Sequence, residues 1–529
     1  MSVASVAFLL FLLVTGIVFY ICPMAHRWVV LLISSIAFYV IAGAWIFLPF
    51  IIFTSFITWY AAKLMGRAYE DLDRELAQPE LDRAGKKQLK TQYKKKAKKY
   101  LIGALVLCIG ILCVTKFSKY VIQYINAVSL SRGGSGAYSI AWLIVPLGIS
   151  YYTFSTVGYI LDVYWKRYPY EKNFFRFFLY AIYFPHIMQG PISRYDKLGK
   201  SLKGELRYNS QRILFGIQLM IWGFFKKLVI ADRLNIFIEN VYNGQEHAGS
   251  IFFLTMIFDA LMIYTDFSGY TDIVRGASQI FGVELEQNFN HPFFSKTVAG
   301  FWRRWHMSLG SWFKDYVYYP VTVSGWMKKI NKKTAKSLPA QVSRMISVAF
   351  PCIITWFLTG LWHGTGLTYV SWGIYYGILI TVSVGFQAEF EAVNTKLGIR
   401  TESLLWRMFQ MVRTFFVFMG GRLLTSPGTL ADTGMVLRNI FTNFQPWKLV
   451  DDSIFQYGLS NKQCDILIAS LAVLWCVDYM QERFSVREAV ARQNVVIRWG
   501  LMYLAIFAII IFGVYGAGYD AASFVYMQY

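Results

Sequence analysis

Charged side chains are scarce in this sequence of 529 residues: they make up 16% of it, against about 25% in a typical soluble domain. Hydrophobic residues account for 56%, so the chain has too little polar surface to cover itself in water. This shortage excludes an ordinary soluble protein and predicts an integral membrane protein with lipid as its solvent. Aromatic residues reach 18%, and Tyr and Trp at that density suit the two bilayer interfaces.

Acidic residues are fewer still, with 30 Asp and Glu against 52 Lys and Arg, which gives a formal net charge of +22. In a soluble protein this excess would indicate nucleic acid binding. Here the basic residues lie mainly in loops between apolar runs, so the positive-inside rule accounts for them and we expect no nucleic acid partner. None of the six cysteines forms a CxxC pair, so we interpret them as small hydrophobic residues and predict no metal site.

The sequence also lacks an internal repeat, a low-complexity tract and a recognisable soluble domain. The first apolar run, residues 3–22, has no basic residue before it and no small-x-small cleavage site after it. It therefore reads as a retained transmembrane helix, not as a cleaved signal peptide. We predict one membrane-embedded domain over residues 1–529.

Apolar runs recur along the whole chain, and we expect about eleven of them to span the membrane. Several are short or carry Gly or Pro in the middle, which is typical of re-entrant or broken helices that line a cavity. The predicted fold is all-α and polytopic, with helices around a central funnel that narrows at His363. The runs cover residues 3–22, 28–48, 50–65, 101–114, 141–165, 174–188, 213–230, 251–281, 348–358, 369–386, 405–420, 466–479 and 495–514.

One polar segment, residues 67–99, interrupts the apolar pattern and is predicted to be helical. Its second half, residues 86–99, holds eight lysines and no acid. Such a cluster is expected in the cytoplasm, where it can contact anionic lipid headgroups. Because three apolar runs precede it, we predict that both termini lie outside the cytoplasm and that the protein resides in the cell membrane.

Ionisable residues inside apolar stretches cost about 2.5–3.5 kcal/mol each at a helix centre, so each needs a reason to be there. His363 is the clearest case, because it lies between two apolar runs and among the glycines Gly360, Gly364 and Gly366. A histidine in that place can be neutral at pH 7 and accept a proton. The alternative is a buried histidine that only hydrogen-bonds a neighbouring helix.

Other charged residues allow two interpretations each. Asp266 and Asp272 are six residues apart, and Gly269 between them could break the helix; structural ion pairs with Arg275 or another basic residue are favoured over a catalytic role. A second group could meet a phosphate-bearing donor or could anchor the chain at the bilayer interface. That group comprises Arg303, Arg304 and Lys314.

Together these segments resemble the membrane-bound O-acyltransferase family over about residues 146–377. Residues 266–272 read Asp-Phe-Ser-Gly-Tyr-Thr-Asp, residues 301–309 read Phe-Trp-Arg-Arg-Trp-His-Met-Ser-Leu, and residues 361–364 read Leu-Trp-His-Gly. Within the family, the chain is most similar to the bacterial alginate and polysaccharide O-acetyltransferases, on its length and on the segments 190–195 and 524–529.

The resemblance implies two catalytic histidines, His363 as general base and His306 as a group that positions or polarises the thioester carbonyl. It implies acetyl-CoA as the acyl donor on the cytoplasmic side, with no bound cofactor. It also implies a polysaccharide acceptor and an extracellular esterase-like protein that relays the acetyl group. Supporting or substrate-binding roles are expected for Arg304, Asp315, Trp362, Asp266, Asp272 and Arg194.

Two other functions remain open at this point. Within the enzyme class, the chain could transfer D-alanine from a carrier protein to teichoic acid. A transporter or flippase without covalent chemistry would also place charges and broken helices inside the membrane. The missing internal repeat favours the enzyme over the transporter.

Overall fold

The computed structural model of the chain describes residues 1–78, 82–134, 146–204, 206–243 and 247–515. Helices make up most of these residues, and no strand occurs among them, which confirms the all-α class. The segment 524–529, on which part of the resemblance depends, lies outside the described residues, as do residues 141–145 of one apolar run.

The chain folds as two compact units. The first comprises residues 1–214 and 277–286, and the second comprises residues 215–276 and 287–529. The single domain over residues 1–529 stays a prediction.

The first unit contains helices α1 to α7, of which several are long and apolar and are joined by short connections. Between α2 and α3 the chain turns through Gly43, whose φ of +82° suits glycine and few other residues. Of the polar segment 67–99, residues 67–76 form the end of α3 and residues 83–99 form the start of α4. The segment is therefore helical as predicted, except at the described residues 77, 78 and 82 between the two helices. The bounds are α1 Val6–Ile21, α2 Arg27–Tyr39, α3 Leu48–Leu76, α4 Arg83–Ser131, α5 Ile149–Tyr164, α6 Phe174–Ile182 and α7 Lys200–Lys203.

The second unit contains most of the remaining helices and all but one of the predicted site residues. A wide π-helical turn, Phe225–Ala231, joins α8 to α9. The bounds are α8 Ser210–Phe224, α9 Asp232–Tyr242, α10 Gly249–Ile280, α11 Val298–Trp302, α12 Met307–Phe313, α13 Tyr319–Thr322, α14 Gly325–Ser337, α15 Ala340–His363, α16 Leu367–Gly385, α17 Gln387–Lys396, α18 Leu404–Leu423, α19 Leu430–Thr442, α20 Asn461–Gln481, α21 Val486–Ala491 and α22 Val495–Phe512.

Eight helical stretches in the described part of the chain are long and apolar enough to cross a membrane, and α1 is a shorter apolar helix beside them. One of the eight, residues 24–76, contains both α2 and α3. The chain is therefore a multi-pass membrane protein, as predicted. The number of crossings, about eleven, stays a prediction.

Two glycine- or proline-containing helices are continuous where a break was considered. The apolar run 348–358 lies within α15, a helix of 24 residues that continues through Pro351. Likewise α10 passes through Gly269 without interruption. Gly269 instead allows two helices to touch, because a methyl group there would lie 2.9 Å from the carbonyl oxygen of Gly223 on α8. Small residues at a crossing allow backbones in a membrane to approach closely.

Candidate active site

His363 is the last residue of α15, and the crossing of α15 with α16 fixes its position. Gly360 and Gly373 face each other at that crossing, with backbone so close that a methyl group on Gly360 would lie 2.4 Å from the carbonyl oxygen of Tyr369. Gly364 then leaves the helical conformation and ends α15. The absence of a side chain at Gly360 therefore allows α16 to lie against the end of α15.

A small cavity of about 40 Å³ lies beside His363 in the second unit. The polar groups that line it are His363, Arg422 and Thr425. A volume of this size has room for a few water molecules at most, so charges inside it are poorly screened. Its aromatic and aliphatic walls are Ile263, Trp302, Trp305, Tyr369, Trp372 and Phe418.

Two tryptophans hold the imidazole of His363. The ring centroids of His363 and Trp362 are 4.8 Å apart, and those of His363 and Trp372 are 5.0 Å apart, both in edge-to-face contact. Trp362 also contacts His306, at a centroid distance of 5.9 Å. The structure thus brings together three of the predicted site residues, His306, Trp362 and His363, in one aromatic cluster.

His306 adopts a left-handed backbone conformation, with φ of +44° and ψ of 52°, which is rare for a residue other than glycine. Its Nδ1 lies 3.1 Å from Oδ1 of Asn288. The same oxygen accepts hydrogen bonds from the backbone N–H of Ser308 at 3.1 Å and from its hydroxyl at 2.9 Å. Since this oxygen can only accept, Nδ1 of His306 carries the proton and Nε2 is its basic nitrogen.

The charge state of His306 follows from its surroundings. The side chain is 2% exposed, and Phe267 packs against the ring at a centroid distance of 4.8 Å. Burial lowers the pKa of His306 to about 3, so the ring is neutral at physiological pH. Nε2 of the neutral ring accepts hydrogen bonds, so it can position a group that donates one. It cannot donate to a carbonyl oxygen, so a positioning role for His306 is favoured over polarisation of the thioester carbonyl.

Arg422 is a cavity residue that sequence reasoning missed. Its Nε lies 2.9 Å from Oδ2 of Asp259 and its Nη2 lies 2.8 Å from Oδ1, a two-pronged ion pair between α18 and α10. Asp259 also accepts a hydrogen bond from the hydroxyl of Ser426 at 2.8 Å. Both charges lie in or beside apolar runs, and that was the available signal, since an ionisable residue inside a membrane needs a partner or a function.

Asp266 and Asp272 form buried ion pairs away from the lining of this cavity. Oδ1 of Asp266 lies 2.8 Å from Nζ of Lys227, and both side chains are 1% exposed. Oδ2 of Asp272 lies 2.7 Å from Nζ of Lys226, and its Oδ1 lies 3.3 Å from Arg275. These contacts match the favoured interpretation of structural ion pairing, in which removal of one partner leaves an uncompensated buried charge.

The remaining supporting candidates occupy other places. Arg304 pairs with Glu482, with Nη1 and Oε1 2.6 Å apart, and a third of its side chain is exposed. Asp315 lies on a π-helical turn, Lys314–Tyr318, and is not among the residues that line the cavity. Arg194 belongs to the first unit, where it precedes the π-helical turn Tyr195–Gly199. Roles for these three residues in substrate binding stay predictions.

Comparison with known protein families identifies the family that the sequence motifs resemble. The sequence pattern of a family described as MBOAT, membrane-bound O-acyltransferase family, matches residues 166–424. This stretch contains His306, His363 and Arg422, and it extends further towards the C-terminus than the core predicted over residues 146–377.

Similar proteins with curated names act in acyl transfer. A probable alginate O-acetylase AlgI of Pseudomonas syringae is 27% identical over 74% of this chain and 69% of its own length. A teichoic acid D-alanyltransferase of Bacillus subtilis is 34% identical over 45% of this chain and 59% of its own length. A peptidoglycan O-acetyltransferase of Helicobacter pylori is 26% identical over 54% of this chain and 55% of its own length.

Proposed function

Because this chain belongs to the membrane-bound O-acyltransferase family and is an acyltransferase, we propose that it moves an acetyl group across the membrane for O-acetylation of an extracellular polysaccharide. The donor is a thioester on the cytoplasmic side, acetyl-CoA. Relatives named for alginate and for peptidoglycan O-acetylation support the acetyl group and the polysaccharide.

The placement of His363 is the observation that carries the proposal. Its imidazole is partly exposed, lies at the end of a spanning helix and lines a cavity with mostly aromatic and aliphatic walls. A solvated surface would offer water as a competing proton acceptor, whereas this cavity holds few waters. Proton transfer by a placed side chain contributes about 10²–10⁴-fold to a rate.

The reaction follows from that placement. His363 takes the proton of an attacking hydroxyl, and the oxygen forms a bond to the carbonyl carbon of the thioester. The bond between carbon and sulfur then breaks, and the thiolate takes the proton back from His363. The products are an ester and a free thiol, and His363 returns to its neutral form. The hydroxyl belongs to the polysaccharide or to a group that relays the acetyl.

An extracellular, esterase-like protein completes the proposal by receiving the acetyl group and delivering it to the polymer. Anionic lipids contact the lysines of residues 86–99 on the cytoplasmic side. The acid-free lysine cluster supports this orientation of the chain, because basic segments are enriched on the cytoplasmic side of membrane proteins. In intact cells, an impermeant thiol reagent should label an exposed cysteine placed near Ser2 and spare one placed at Lys94; the reverse pattern would overturn the orientation.

Radiolabelled acetyl-CoA tests the proposed donor. The purified protein in lipid nanodiscs should release free CoA and form acetyl ester only when an acceptor hydroxyl is supplied. Consumption by wild-type protein, and none by His363→Gln at equal folded yield, is the expected result. A protein that moves the labelled compound across vesicles without releasing CoA would instead be a transporter, which is the competing class.

D-alanyl transfer is the second candidate within the enzyme class, supported by the relative from Bacillus subtilis that is 34% identical to part of the chain. The same nanodiscs, supplied with a D-alanyl thioester on a carrier protein, separate the two donors. Turnover with the carrier thioester and none with acetyl-CoA would replace the acetyl proposal.

A further inference from the structure

We propose that Arg422 is a catalytic residue of this site, which holds the carbonyl oxygen of the acyl group while negative charge develops on it. Asp259 is its positioning residue. The inference rests on the proposed function, because it assigns to Arg422 one half of the acyl-transfer chemistry for which His363 supplies the other half.

The position of Arg422 separates it from an ordinary structural arginine. Arg422 lines the same cavity as His363, and so does Thr425, whose hydroxyl oxygen lies 3.5 Å from Nη1 of Arg422. The opposite edge of the guanidinium, Nε and Nη2, is taken up by the two oxygens of Asp259. The two-pronged ion pair therefore holds one edge of the group, while Nη1 on the other edge lies towards Thr425, which also lines the cavity.

Rigidity is the second part of the argument. Asp259 is 2% exposed and is itself fixed by the hydroxyl of Ser426. An arginine held at two nitrogens by a fixed carboxylate loses little freedom when it binds a further oxygen. A donor group that needs no reorganisation during the reaction gives the largest stabilisation of the transition state.

Charge is the third part. Of the side chains that line the cavity, Arg422 carries the permanent charge, since a guanidinium does not lose its proton in proteins. Most of the other lining groups are aromatic or aliphatic, so its field on the cavity is weakly screened. His363 takes the proton of the attacking hydroxyl, so a second group is needed to donate hydrogen bonds to the oxyanion from the start of the reaction.

The two residues divide the chemistry between them. As the hydroxyl oxygen bonds to the carbonyl carbon, its proton moves to His363 and the electron pair of the C=O double bond moves onto the carbonyl oxygen. Arg422 donates hydrogen bonds to that oxyanion. When the electron pair returns, the bond between carbon and sulfur breaks and the thiolate leaves with the proton from His363.

A purely structural role is the alternative, because the ion pair also ties α10 to α18. The two roles differ in which kinetic constant they affect. A structural ion pair changes the amount of folded protein, whereas an oxyanion donor changes kcat with little effect on KM, because the negative charge exists only during the reaction.

The test compares Arg422→Lys and Arg422→Gln with wild type in nanodiscs, using labelled acetyl-CoA and measuring folded yield, kcat and KM. We expect kcat to fall about 10²–10³-fold in Arg422→Gln, with KM within about threefold of wild type. Arg422→Lys keeps a positive charge but loses the planar guanidinium with its several N–H donors, and we expect an intermediate kcat. Its rate should also fall at high pH, since a buried lysine loses its proton more easily than an arginine does.

Arg233→Gln is the matched control. Arg233 is also buried, at 4% exposure, and it donates from Nη2 to the carbonyl oxygen of Phe512 at 2.7 Å without lining the cavity. It should lower folded yield and leave kcat per folded molecule near wild type. If the Arg422 variants behave as this control does, or if their kcat is unchanged, the catalytic assignment is wrong.

Failure of the proposed function gives a different pattern. Wild-type protein that releases no CoA from acetyl-CoA overturns the proposed function and, with it, the role of Arg422. Wild-type turnover together with a normal kcat in Arg422→Gln overturns the role of Arg422 alone. If Arg422→Gln does not fold, the two single variants Asp259→Asn and Arg422→Lys supply the same comparison of kcat with KM.

Discussion

The two histidines of the candidate active site touch the same tryptophan but have opposite surroundings. His306 is buried, backbone-strained and tied at Nδ1 to the amide of Asn288. His363 ends a long helix, is partly exposed and lines a cavity together with Arg422. His306 is thus enclosed by its neighbours, whereas His363, which packs against two tryptophans, also lines an internal cavity.

This difference indicates how one residue type performs two tasks in one site. A general base needs access to the reacting atoms, and the cavity gives His363 that access. A positioning group needs a fixed ring and a fixed tautomer, and the oxygen of Asn288 supplies both to His306. Substitutions that exchange or remove these surroundings test the division of labour.

The largest effect is expected from His363→Gln. Glutamine keeps a similar size and some hydrogen bonding but cannot accept a proton at neutral pH, so acyl transfer should be abolished, a loss of at least about 10²–10⁴-fold. The measurement is acetylation of the exported polymer in cells that lack the native gene, normalised to membrane protein and paired with thermal stability in detergent.

His363→Ala completes this experiment. If His363 only hydrogen-bonds its neighbours, the Gln variant should keep near-wild-type acetylation, while Ala mainly reduces the yield of folded protein. That pattern would contradict the general-base assignment. Loss of activity in both variants at normal stability would support it.

A smaller loss is expected from His306→Ala. A positioning group is less indispensable than a base, so turnover should fall about 10–10²-fold and remain measurable. We expect the acyl donor to bind without a change in the charge of His306. The loss should therefore appear in kcat, measured at saturating acyl donor. Full activity of this variant would show that His306 has a structural role only.

A smaller effect still is expected from Asn288→Ala, which leaves both histidines in place. The change removes the oxygen that accepts from His306 and from Ser308, so the tautomer of His306 is no longer fixed. Turnover should fall about three- to tenfold. Asn288→Asp is the control, since its carboxylate keeps an acceptor at the same position and should retain more activity than Ala.

The last effect is on stability instead of turnover, and it concerns pH. Folding lowers the pKa of His306 to about 3, below the ordinary value near 6.5. Between these two pH values the unfolded chain is protonated at His306 and the folded chain is not. The contribution of His306 to stability is therefore present above pH 6.5 and declines as pH falls towards 3. Between pH 7 and pH 5 the loss is roughly 2 kcal/mol.

Melting curves of the detergent-solubilised protein at pH 7 and pH 5 measure this loss. His306→Gln has no group that titrates at this position, so its melting temperature should fall less on acidification than that of wild type. Equal shifts in the two proteins would indicate that protonation of His306 does not govern acid stability.

Much of this molecule can be predicted from its sequence. The low content of charged residues and the long apolar runs predict an all-α membrane protein. The short motifs around His306 and His363, in the order in which they occur, predict the family. The lysine-rich segment, residues 86–99, lies within α4 and is helical as its pattern predicts. These properties depend on local sequence, which is why they can be read without coordinates.

Contacts between distant segments could not be predicted. Gly269 was considered as a helix break, but its role becomes visible only when Gly223 of another helix lies against it. Arg422 and Asp259 are 163 positions apart, and nothing in either local sequence indicates that they form a pair. The strained backbone of His306 likewise depends on Asn288, which is 18 positions away.

The length of α4 has a practical consequence. Its 49 residues form one helix about 74 Å long, more than twice the ~30 Å of bilayer hydrocarbon. Even at a tilt of about 40°, it covers roughly 57 Å along the bilayer normal. If its apolar half spans the membrane, its lysine-rich beginning contacts the lipid headgroups at its membrane end and extends beyond them as a rigid rod. An antibody fragment raised against that rod would give single-particle imaging a fixed landmark outside the bilayer.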